Sequence, residues 1–406
     1  MTPGAETLER AVAPLRYNPY DYEIHEDPYP TYARLRAEAP LYRNEELDFW
    51  ALSRHEDVLG AFRNPGQLSN RFGVSLDPAA YGPEAHRAMS FLAMDPPRHT
   101  RMRSLVSKAF TPRRVAEMEP RVRAIALEHI EPAVERASFD FVGDFAGRMP
   151  MDVISEMIGV PRADRAEMRR LADLLVHREE GLNDIPPEGI EAALTMAGYF
   201  ADMVAQRRAA PTEDLTSALL DADMEGDRLT DDEIIGFLFL MTVAGNETTT
   251  KLLANAWYWG WRFPDERSKV LADPGRVVDW VEETLRFDAS TQMLLRVTTG
   301  EVELYDTVLP DSARVLLLVG AANRDEAVFD DPDRYDLDRD TTKLVSFGSG
   351  RHHCLGAALA RLEARVGLRE LAQRVAGYEI DAARAERVHS INVRGFAALP
   401  TTVTPR

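Results

Sequence analysis

The stretch from Ser346 to Val366, SFGSGRHHCLGAALARLEARV, contains Cys354, the only cysteine among the 406 residues. Two glycines and two histidines lie just before it, and the apolar residues after it recur at the three- and four-residue spacing of a helix. A lone cysteine is most often a small buried apolar residue, so its surroundings decide whether it has a chemical role.

Two common sites that combine cysteine, glycine and histidine fit this stretch poorly. The dinucleotide-binding pattern GxGxxG fails because His353 occupies its third glycine position. A zinc site is unfavourable, since adjacent residues do not easily face one tetrahedral ion and no second cluster of cysteine and histidine completes the set. A nucleophilic Cys354 with His352 or His353 as its base remains open at this point.

A different use of the sulfur fits the pattern better. The glycines allow the backbone to pass close to a flat ligand. Because Cys354 precedes a predicted helix start, unpaired backbone N–H groups and the helix dipole would favour its thiolate form. A thiolate held rigidly beside a large buried surface is a ligand that haem iron uses.

The composition predicts a cytoplasmic protein that does not bind nucleic acid or membranes. Its net charge of −19 repels both nucleic acid and anionic lipid. The N-terminus shows no signal-peptide pattern, and the longest nearly apolar run, residues 234–245, is too short to span a bilayer. A single cysteine forms no internal disulfide, which agrees with a reducing compartment.

Helical patterns dominate the chain, and no linker or repeat interrupts them. We predict a mainly α protein with small β-sheets, built as a flexible segment over residues 1–15 and one large domain over residues 16–406. The predicted helices cover residues 98–110 (with Asp95 as the cap), 115–136, 147–158, 161–176 and 188–208. The predicted strands lie near residues 48–53, 301–305 and 313–320, and after residue 378.

The longest helix is predicted between Thr230 and Pro264, a length of about 45–50 Å at 1.5 Å per residue. Thr230 and Glu233 match a capping box, and the apolar first half of the helix should be buried. The central sequence AGNETTT, residues 244–250, is costly in a buried helix. It is either a kink with a satisfied carboxylate or a local opening that presents an acid and a hydroxyl to a reaction site.

The sequence FGSGRHHCLG, residues 347–356, resembles the haem-binding signature of the cytochrome P450 family, Phe-Gly-x-Gly-x-His-x-Cys-x-Gly, at every fixed position. The resemblance extends over nearly the whole chain. It includes, in order, AMDPPRHTRMR from Ala93, AGNETT from Ala244, EETLR from Glu282, ANRDEAVFDDPDRYDLDR from Ala322 and RGFAALP from Arg394. A Glu-x-x-Arg pair alone is weak evidence, but five ordered matches around one cysteine are specific.

The resemblance implies a haem-thiolate monooxygenase with the cytochrome P450 fold, in which haem b lies between the long central helix and the cysteine loop. Cys354 would bind the iron, and Glu247 and Thr248 would relay the protons needed to activate O2. The haem propionates would contact His99, Arg103, Arg296 and His352, and the haem would also contact Phe347, Gly348, Gly356, Ala244 and Gly245. A structural charge network behind the haem would comprise Glu283, Arg286 and Arg339.

The resemblance also implies an apolar substrate pocket beside the haem. Its expected lining is Met89, Leu92, Leu240, Val243, Ala244, Leu294 and Ile391. Such a lining favours a hydrophobic substrate of the fatty acid, terpenoid, steroid or polyketide type. Residues 176–198 lie where the family has a mobile lid.

Electrons must come from outside the chain, because it carries no flavin or iron–sulfur signature. We expect a ferredoxin and a ferredoxin reductase that uses NAD(P)H, acting on a monomer. The basic residues near the cysteine either form a positive docking patch on an acidic protein or are scattered and solvated. They are Arg113, Arg114, Arg351 and Arg361.

Three positions depart from the family pattern. Leu344 replaces a histidine that often contacts a propionate, and Ser290 replaces a common proline, so both would alter haem seating or pocket shape. Asn246 precedes the acid where histidine is frequent. None of these changes removes the iron ligand, the acid or the alcohol.

Three other interpretations remain open. The same haem-thiolate fold could perform epoxidation, oxidative coupling or peroxide-driven oxidation, although the pair Glu247 and Thr248 favours activation of O2. A non-catalytic haem protein would have no need for that pair. A haem-free globular protein with a structural Cys354 is the third.

Overall fold

The computed structural model describes residues 14–224 and 226–406. Residues 1–13 of the predicted flexible segment lie outside this range, and the division at residue 15 stays a prediction. The helices are α1 (Tyr22–Glu26), α2 (Tyr29–Glu38), α3 (His55–Arg63), α4 (His86–Met89), α5 (Arg98–Val106), α6 (Pro112–Glu117), α7 (Glu119–Arg136), α8 (Met149–Ile158), α9 (Arg165–Val176), α10 (Pro187–Ala209), α11 (Leu215–Asp221), α12 (Asp231–Arg262), α13 (Pro264–Ala272), α14 (Val277–Phe287), α15 (Val319–Ala322) and α16 (Ala357–Arg374).

The strands are short and form small sheets. They are β1 (Leu41–Asn44), β2 (Phe49–Leu52), β3 (Leu68–Ser69), β4 (Ser138–Asp140), β5 (Asp223–Met224), β6 (Asp227–Arg228), β7 (Met293–Thr298), β8 (Val302–Leu304), β9 (Thr307–Leu309), β10 (Arg314–Leu318), β11 (Val375–Ile380), β12 (Glu386–Arg387), β13 (Phe396–Ala398) and β14 (Pro400–Pro405). The predicted class, mainly α with small sheets, is confirmed.

The largest sheet has the order β1-β2-β10-β7-β3, with β2 and β10 parallel and the other neighbours antiparallel. A second sheet, β11-β14-β4, brings the C-terminal strand beside the chain that follows α7. Hairpins β5-β6, β8-β9 and β12-β13 complete the pairing among the described residues. Strand β7 carries Arg296 from the largest sheet toward the helical part of the fold.

Helix α12 runs through the centre of the helical part and packs against α8, α9, α10, α14 and α16. Its N-terminus has the predicted capping box, in which Thr230 Oγ1 accepts the Glu233 N–H at 3.2 Å and Glu233 Oε2 accepts the Thr230 N–H at 3.1 Å. The apolar first half is buried, as expected. Near its end, the Trp257 ring stacks on the Tyr378 ring at a centroid distance of 3.5 Å, which joins α12 to β11.

Four local predictions differ from the structure. Helix α5 starts without a side-chain cap, because Asp95 instead accepts the Ser69 hydroxyl and the Asn70 N–H. The helix predicted over residues 98–110 ends at Val106 and continues as one 3₁₀ turn. Only residues 177–186 of the predicted 176–198 lid are irregular, because α10 begins at Pro187. The central segment 244–250 shows no local opening, since α12 remains α-helical throughout.

No helix in residues 14–224 or 226–406 combines the length and the apolar character that crossing a membrane would need.

Replacing Thr230 with alanine should destabilise the start of α12. The substitution removes one half of the capping box and should cost about 1 kcal/mol, since N-cap substitutions of this kind have that typical size. Hydrogen exchange measured by mass spectrometry should show faster exchange of the amides in residues 232–236. Thr230→Ser retains the hydroxyl and should exchange at the wild-type rate; equal exchange in the alanine variant would contradict the capping assignment.

Candidate functional site

A cavity lies between α12 and α16 and encloses about 1310 Å³ of atom-free space, including its open mouth. Its walls are mostly apolar and include Phe62, Phe91, Ile154, Leu252 and Leu359. Cys354 lies on the same wall and is exposed to this space.

The loop that carries Cys354 is shaped by two glycines with positive φ, Gly348 at 65° and Gly350 at 69°. A Cβ on Gly350 would lie 2.9 Å from the Phe62 carbonyl oxygen, so a larger residue would push the loop away from α3. The Cys354 N–H donates to the Phe347 carbonyl at 2.9 Å, which closes the loop. The result is a sulfur fixed at the cavity wall just before α16.

Burial raises the pKa of the Cys354 thiol. The backbone N–H groups of Gly356 and Ala357 and the guanidinium groups of Arg103 and Arg361 lower it, but they do not outweigh burial. The backbone N–H groups at the helix start therefore favour the thiolate, as predicted. In the protein alone they do not bring the pKa of Cys354 below its ordinary value. A coordinated metal cation would deprotonate the sulfur.

The described residues contain no cluster of three or more histidine, cysteine, aspartate or glutamate side chains that could hold a metal ion. The zinc interpretation therefore gains no support from residues 14–224 and 226–406. Cys354 would be a single protein ligand to a metal that arrives inside a larger group.

Four basic side chains lie together at one part of the cavity. Arg103, Arg296 and His352 line it, and the His99 ring lies 4.1 Å from the His352 ring. Both ring nitrogens of each histidine and Nη1 of Arg103 are buried without hydrogen-bond partners in the part of the chain that the structure describes. The Arg296 guanidinium, with 2% of the residue exposed, donates from Nη1 to its neighbouring Leu295 carbonyl at 2.7 Å.

Burial shifts the pKa values of these groups toward their neutral forms. It lowers the pKa of His99 to about 4 and of Arg296 to about 10, although the Asp95 carboxylate opposes both shifts. It lowers the pKa of His352 to about 2, with further contributions from His99, Arg296 and Arg103. Buried basic groups with unpartnered nitrogens are unfavourable on their own, so an anionic partner would stabilise this cluster.

These residues fit a haem with two carboxylates. The apolar cavity matches a flat porphyrin, Cys354 provides the metal ligand, and the unpartnered nitrogens match the propionates. Of the other predicted cofactor contacts, Phe347, Gly348, Gly356, Ala244 and Gly245 also line the cavity. The structure thus places the predicted iron ligand and propionate contacts around one space.

The predicted acid and alcohol occupy different faces of α12. Thr248 lines the cavity, and its hydroxyl donates to the Ala244 carbonyl at 2.8 Å. Glu247 has 1% of its surface exposed and does not line the cavity. Its Oε2 lies 3.2 Å from the Nζ of Lys251, and its Oε1 accepts the Asn246 side-chain amide at 2.9 Å. The carboxylate in the central segment is therefore held by an ion pair and one amide hydrogen bond, while Oε2 makes no hydrogen bond to the described residues.

Asp173, on α9, is the second acid of this group. Its side chain is 48% exposed, and Arg169 lies 3.8 Å away. Burial and the neighbouring Glu247 carboxylate raise the pKa of Asp173 to about 7, while Lys251 and Arg169 lower it. The pKa of Asp173 therefore lies close to neutral pH, and Glu247 is one of the neighbours that raise it.

The predicted charge network is assembled on the far side of the cysteine loop. Arg286 donates to both carboxylate oxygens of Glu283, at 2.7 and 2.8 Å, and both residues are fully buried. Nε of Arg339 lies 3.4 Å from Glu283 Oε1, and its Nη2 donates to the Asp331 carbonyl at 2.9 Å. The guanidinium of Arg286 also donates to the carbonyl of Asn323, so the network ties α14 to the segment before the cysteine loop.

The predicted substrate lining is only partly at the cavity. Leu92, Leu240, Ala244 and Leu294 line it, whereas Met89, Val243 and Ile391 do not. Val243 lies one position away from the face of α12 shared by residues 240, 244 and 248, which turns it by about 100°. Ile391 is buried in a separate apolar cluster that includes Tyr17 and Tyr32. Met89 instead lies next to Gly73.

The departures from the family pattern have local consequences. Leu344 packs against the main apolar core and provides no polar group for a propionate. Ser290 lines the cavity, and its buried hydroxyl has no hydrogen-bond partner. The cavity therefore has a polar atom where the family usually has a proline ring.

The proposed docking arginines are only partly free. Arg113 pairs with Glu117 at 2.9 Å, and Arg361 pairs with Glu282 at 2.6 Å. Arg114 and Arg351 are exposed. The positive patch is therefore weaker than the sequence indicates.

Three charged residues at the site, Asp173, Lys251 and Glu363, were missed from the sequence. Lys251 follows Glu247 by four positions, a spacing at which an ion pair on one helix face is expected, so it could have been found. Glu363 lines the cavity as a buried acid nine residues after Cys354. The helical pattern of α16 gives no signal that distinguishes Glu363 from a surface acid.

Comparison with known proteins gives a consistent result. The sequence model of the family described as Cytochrome P450 matches residues 276–381. The chain is 58% identical over 393 residues to the putative cytochrome P450 123 of Mycobacterium tuberculosis, covering 97% of this chain and 98% of that protein. It is 37% identical over 390 residues to the vitamin D(3) 25-hydroxylase of Pseudonocardia autotrophica, covering 94% and 95%.

Among solved structures, the chain is similar to cytochrome P450 CYP109E1 from Bacillus megaterium in complex with testosterone. The TM-score is 0.87 at 29% sequence identity, and the match covers 94% of this chain and 98% of the other.

Replacing Arg296 with methionine should separate protein stability from haem binding. The haem-free variant should melt at or above the wild-type temperature, because the buried cation has been removed. Haem transfer to apomyoglobin should become about tenfold faster or more, because a hydrogen bond to a charged group contributes about 1.5–3 kcal/mol. Arg314→Met, at a surface ion pair, should leave transfer unchanged. Wild-type transfer in Arg296→Met would contradict the propionate contact.

Replacing Asp173 with asparagine should stabilise the protein mainly above neutral pH. The pKa of Asp173 in the folded protein, about 7, exceeds its ordinary value of 3.8, so its contribution to stability is lost as pH rises through 7. The asparagine side chain cannot ionise, so the melting temperature at pH 8 should rise by about 1–2 °C. The gain at pH 5 should be smaller. The exposed Asp202→Asn variant is the control, and an equal gain there would contradict the account.

Proposed function

The chain belongs to the cytochrome P450 family of monooxygenases, and on that premise we propose that it inserts one oxygen atom from O2 into a hydrophobic small molecule. The observation that supports this most directly is a single cavity that holds Cys354, the unpartnered basic cluster and an apolar wall. Haem, when bound, supplies the chemistry that binds and activates O2. The chain's own residues hold that group, exclude water and move protons.

We propose that Cys354 holds the iron and that His99, Arg103, Arg296 and His352 hold the two carboxylates. These side chains belong to separate elements, α5, β7 and the cysteine loop, so the bound group would tie those elements together. The network of Glu283, Arg286 and Arg339 would fix the backbone behind the loop, because a buried charge that loses its partner is costly.

One proton route is proposed from the surface to the cavity. A proton would enter at the part-exposed Asp173, pass to the Glu247 carboxylate and reach the Thr248 hydroxyl on the cavity wall. Lys251 would keep Glu247 in place between transfers. The geometry supports this order, since Asp173 reaches solvent, Glu247 is buried and Thr248 lines the cavity.

For the substrate we propose a steroid-sized apolar molecule. The cavity wall provides apolar contacts through Phe91, Leu92, Leu240 and Leu294. The described lining contains no ion pair. The similarity to a vitamin D(3) 25-hydroxylase and to a structure in complex with testosterone supports this choice. Fatty acid, terpenoid and polyketide substrates are the alternatives.

For electrons we propose a ferredoxin with its NAD(P)H-dependent reductase in the cytoplasm, acting on a monomeric enzyme. Exposed Arg114 and Arg351 would attract an acidic donor to the cysteine side. Pairing of Arg113 and Arg361 with acids makes this attraction modest, so a strong dependence of turnover on ionic strength is not expected.

The experiment that tests the proposed function measures binding and turnover together. The haem-loaded protein is titrated with testosterone, with vitamin D3 and with palmitate, and the shift of its absorption spectrum is recorded. The ligand that binds is then incubated with a surrogate ferredoxin, its reductase, NADPH and O2. A product heavier by one oxygen atom supports the proposal. Product formed only with hydrogen peroxide would favour the peroxide-driven alternative, and binding without any product would favour a haem carrier.

Replacing Thr248 with valine, or Glu247 with glutamine, should lower turnover with O2 about 10- to 100-fold, as expected for the loss of a positioned proton-transfer group. Turnover driven by hydrogen peroxide should fall much less, because peroxide already carries the protons. The ratio of the two rates is the measurement. Thr242→Val, whose hydroxyl donates to Leu238 away from the cavity wall, is the matched control. Equal losses with both oxidants would contradict the relay.

A further inference from the structure

A second cavity lies where α2, the end of α12 and strand β12 meet. It has about 910 Å³ of atom-free space, including its open mouth, and shares no lining residue with the cavity that contains Cys354. We call it the arginine cavity, because four arginines from separate segments line it: Arg262, Arg324, Arg387 and Arg394. Their positive charges have to be balanced within the protein or by a bound anion.

Three of these arginines are matched by the protein or by solvent. Arg394 donates to one oxygen of Asp288 at 2.8 Å and to two backbone carbonyls of α1. Arg324 donates to the Asp333 carboxylate at 3.0 Å and to a backbone carbonyl of α14. Arg262 is exposed, so water can bond its guanidinium.

Arg387 is different, because it is buried and poorly matched. Its side chain is only 10% exposed, and its buried Nη1 has no hydrogen-bond partner in residues 14–224 and 226–406. Nη1 lies 3.7 Å from Oδ2 of Asp288, which is beyond hydrogen-bond range. The Phe396 ring lies 3.9 Å from the guanidinium carbon and supplies no acceptor for the N–H groups.

Asp288 is already occupied by other donors. Its Oδ1 accepts from the Tyr29 hydroxyl and from Arg394, and its Oδ2 accepts the Trp259 indole N–H at 2.8 Å. One buried carboxylate therefore faces two buried arginines, so the positive charge of Arg387 has no carboxylate of its own. Burial and the neighbouring Arg394 lower the pKa of Arg387 to about 10, so the group is still a cation at neutral pH. A bound anion would relieve this cost.

The acids around the arginine cavity limit the charge that a ligand can carry. Glu26, Asp27 and Asp333 line it, and all three are exposed. They would repel a doubly charged phosphate, whereas a carboxylate has a single charge and can bond a guanidinium through both oxygens. Tyr258 and Trp259 line the same cavity and offer aromatic surface to the rest of an organic molecule.

We propose that the arginine cavity binds a small organic molecule with one carboxylate, whose oxygens bond the Arg387 guanidinium and whose apolar part lies against Tyr258 and Trp259. Bound there, the molecule would tie β12 to the end of α12, since its contacts belong to those two elements. The site is separate from the cavity of Cys354, so its occupation does not require the proposed oxygen chemistry.

Calorimetric titration of the haem-loaded protein with benzoate tests the site directly. Benzoate should bind more tightly than phosphate, and the uncharged benzamide should bind about tenfold more weakly or worse, because a hydrogen bond between charged groups is lost. Arg387→Met should lose affinity for benzoate by a similar factor. Arg384→Met removes an exposed arginine just before β12 and is the matched control, which should bind like the wild type. Equal affinity of Arg387→Met and the wild type, or a preference for phosphate, would overturn the proposal.

The absorption spectrum shows which cavity benzoate occupies. Binding at Arg387 should leave the Soret band of the haem-loaded protein unchanged, since the two cavities share no lining residue. If all benzoate binding shifts the Soret band and persists in Arg387→Met, the ligand occupies the cavity of Cys354 and the proposal is overturned.

Thermal melting guards against misfolding of the variant. Without ligand, Arg387→Met should melt at or above the wild-type temperature, because an apolar chain replaces an unmatched buried cation. Saturating benzoate should raise the melting temperature of the wild type but not that of Arg387→Met. Ala33→Phe narrows the arginine cavity, keeps all four arginines and should also lose this rise, so it decides the question if Arg387→Met does not fold. A rise in Ala33→Phe equal to that of the wild type would overturn the proposal.

Discussion

A group of buried basic side chains with unpartnered nitrogens is the constraint on which the site depends. His99, Arg103, Arg296 and His352 lie in or beside one cavity, and burial drives their pKa values down. Proteins rarely retain such groups unless something anionic binds there, because each unpaired buried charge costs free energy. The same cavity raises the pKa of the only cysteine. Both features are unfavourable in the protein alone, and both become favourable when one ligand brings a metal cation and two carboxylates.

The geometry of α12 separates the face that we propose for oxygen chemistry from the face that we propose for proton supply. Residues four positions apart lie on one face, so Ala244 and Thr248 reach the cavity while Glu247 and Lys251 form the adjacent buried face. The ion pair with Lys251 on that second face holds the Glu247 carboxylate near the cavity but outside its lining. The cavity wall itself is then mostly apolar, and its polar side chains include Thr248, Ser290, Glu363 and the basic groups Arg103, Arg296 and His352. Such a wall suits a hydrophobic substrate and limits the entry of water.

Much of this arrangement could be predicted from the sequence where short-range rules apply. The capping box of Thr230 and Glu233, the length of α12 and the glycine loop before Cys354 follow from local chemistry. The resemblance to a known family identified the basic cluster, whose members are far apart in the chain. The direction in which an apolar side chain points was harder to predict, since Val243 and Ile391 are apolar and yet face other parts of the core. The predicted extent of the lid was wrong because Pro187 begins helix α10, and proline is tolerated in the first turn of a helix. The raised pKa of Glu363 depends on its burial in three dimensions, and no sequence pattern records that.

The most direct test of the account is the absorption spectrum of the haem-loaded protein, reduced with dithionite and exposed to carbon monoxide. Ligation by the Cys354 thiolate predicts a Soret band at about 450 nm, which Cys354→Ser should lose. A wild-type band at about 420 nm would mean that the thiolate is lost or protonated and would contradict the assignment of Cys354. A folded protein that takes up no haem at all would contradict the role of the basic cluster as well.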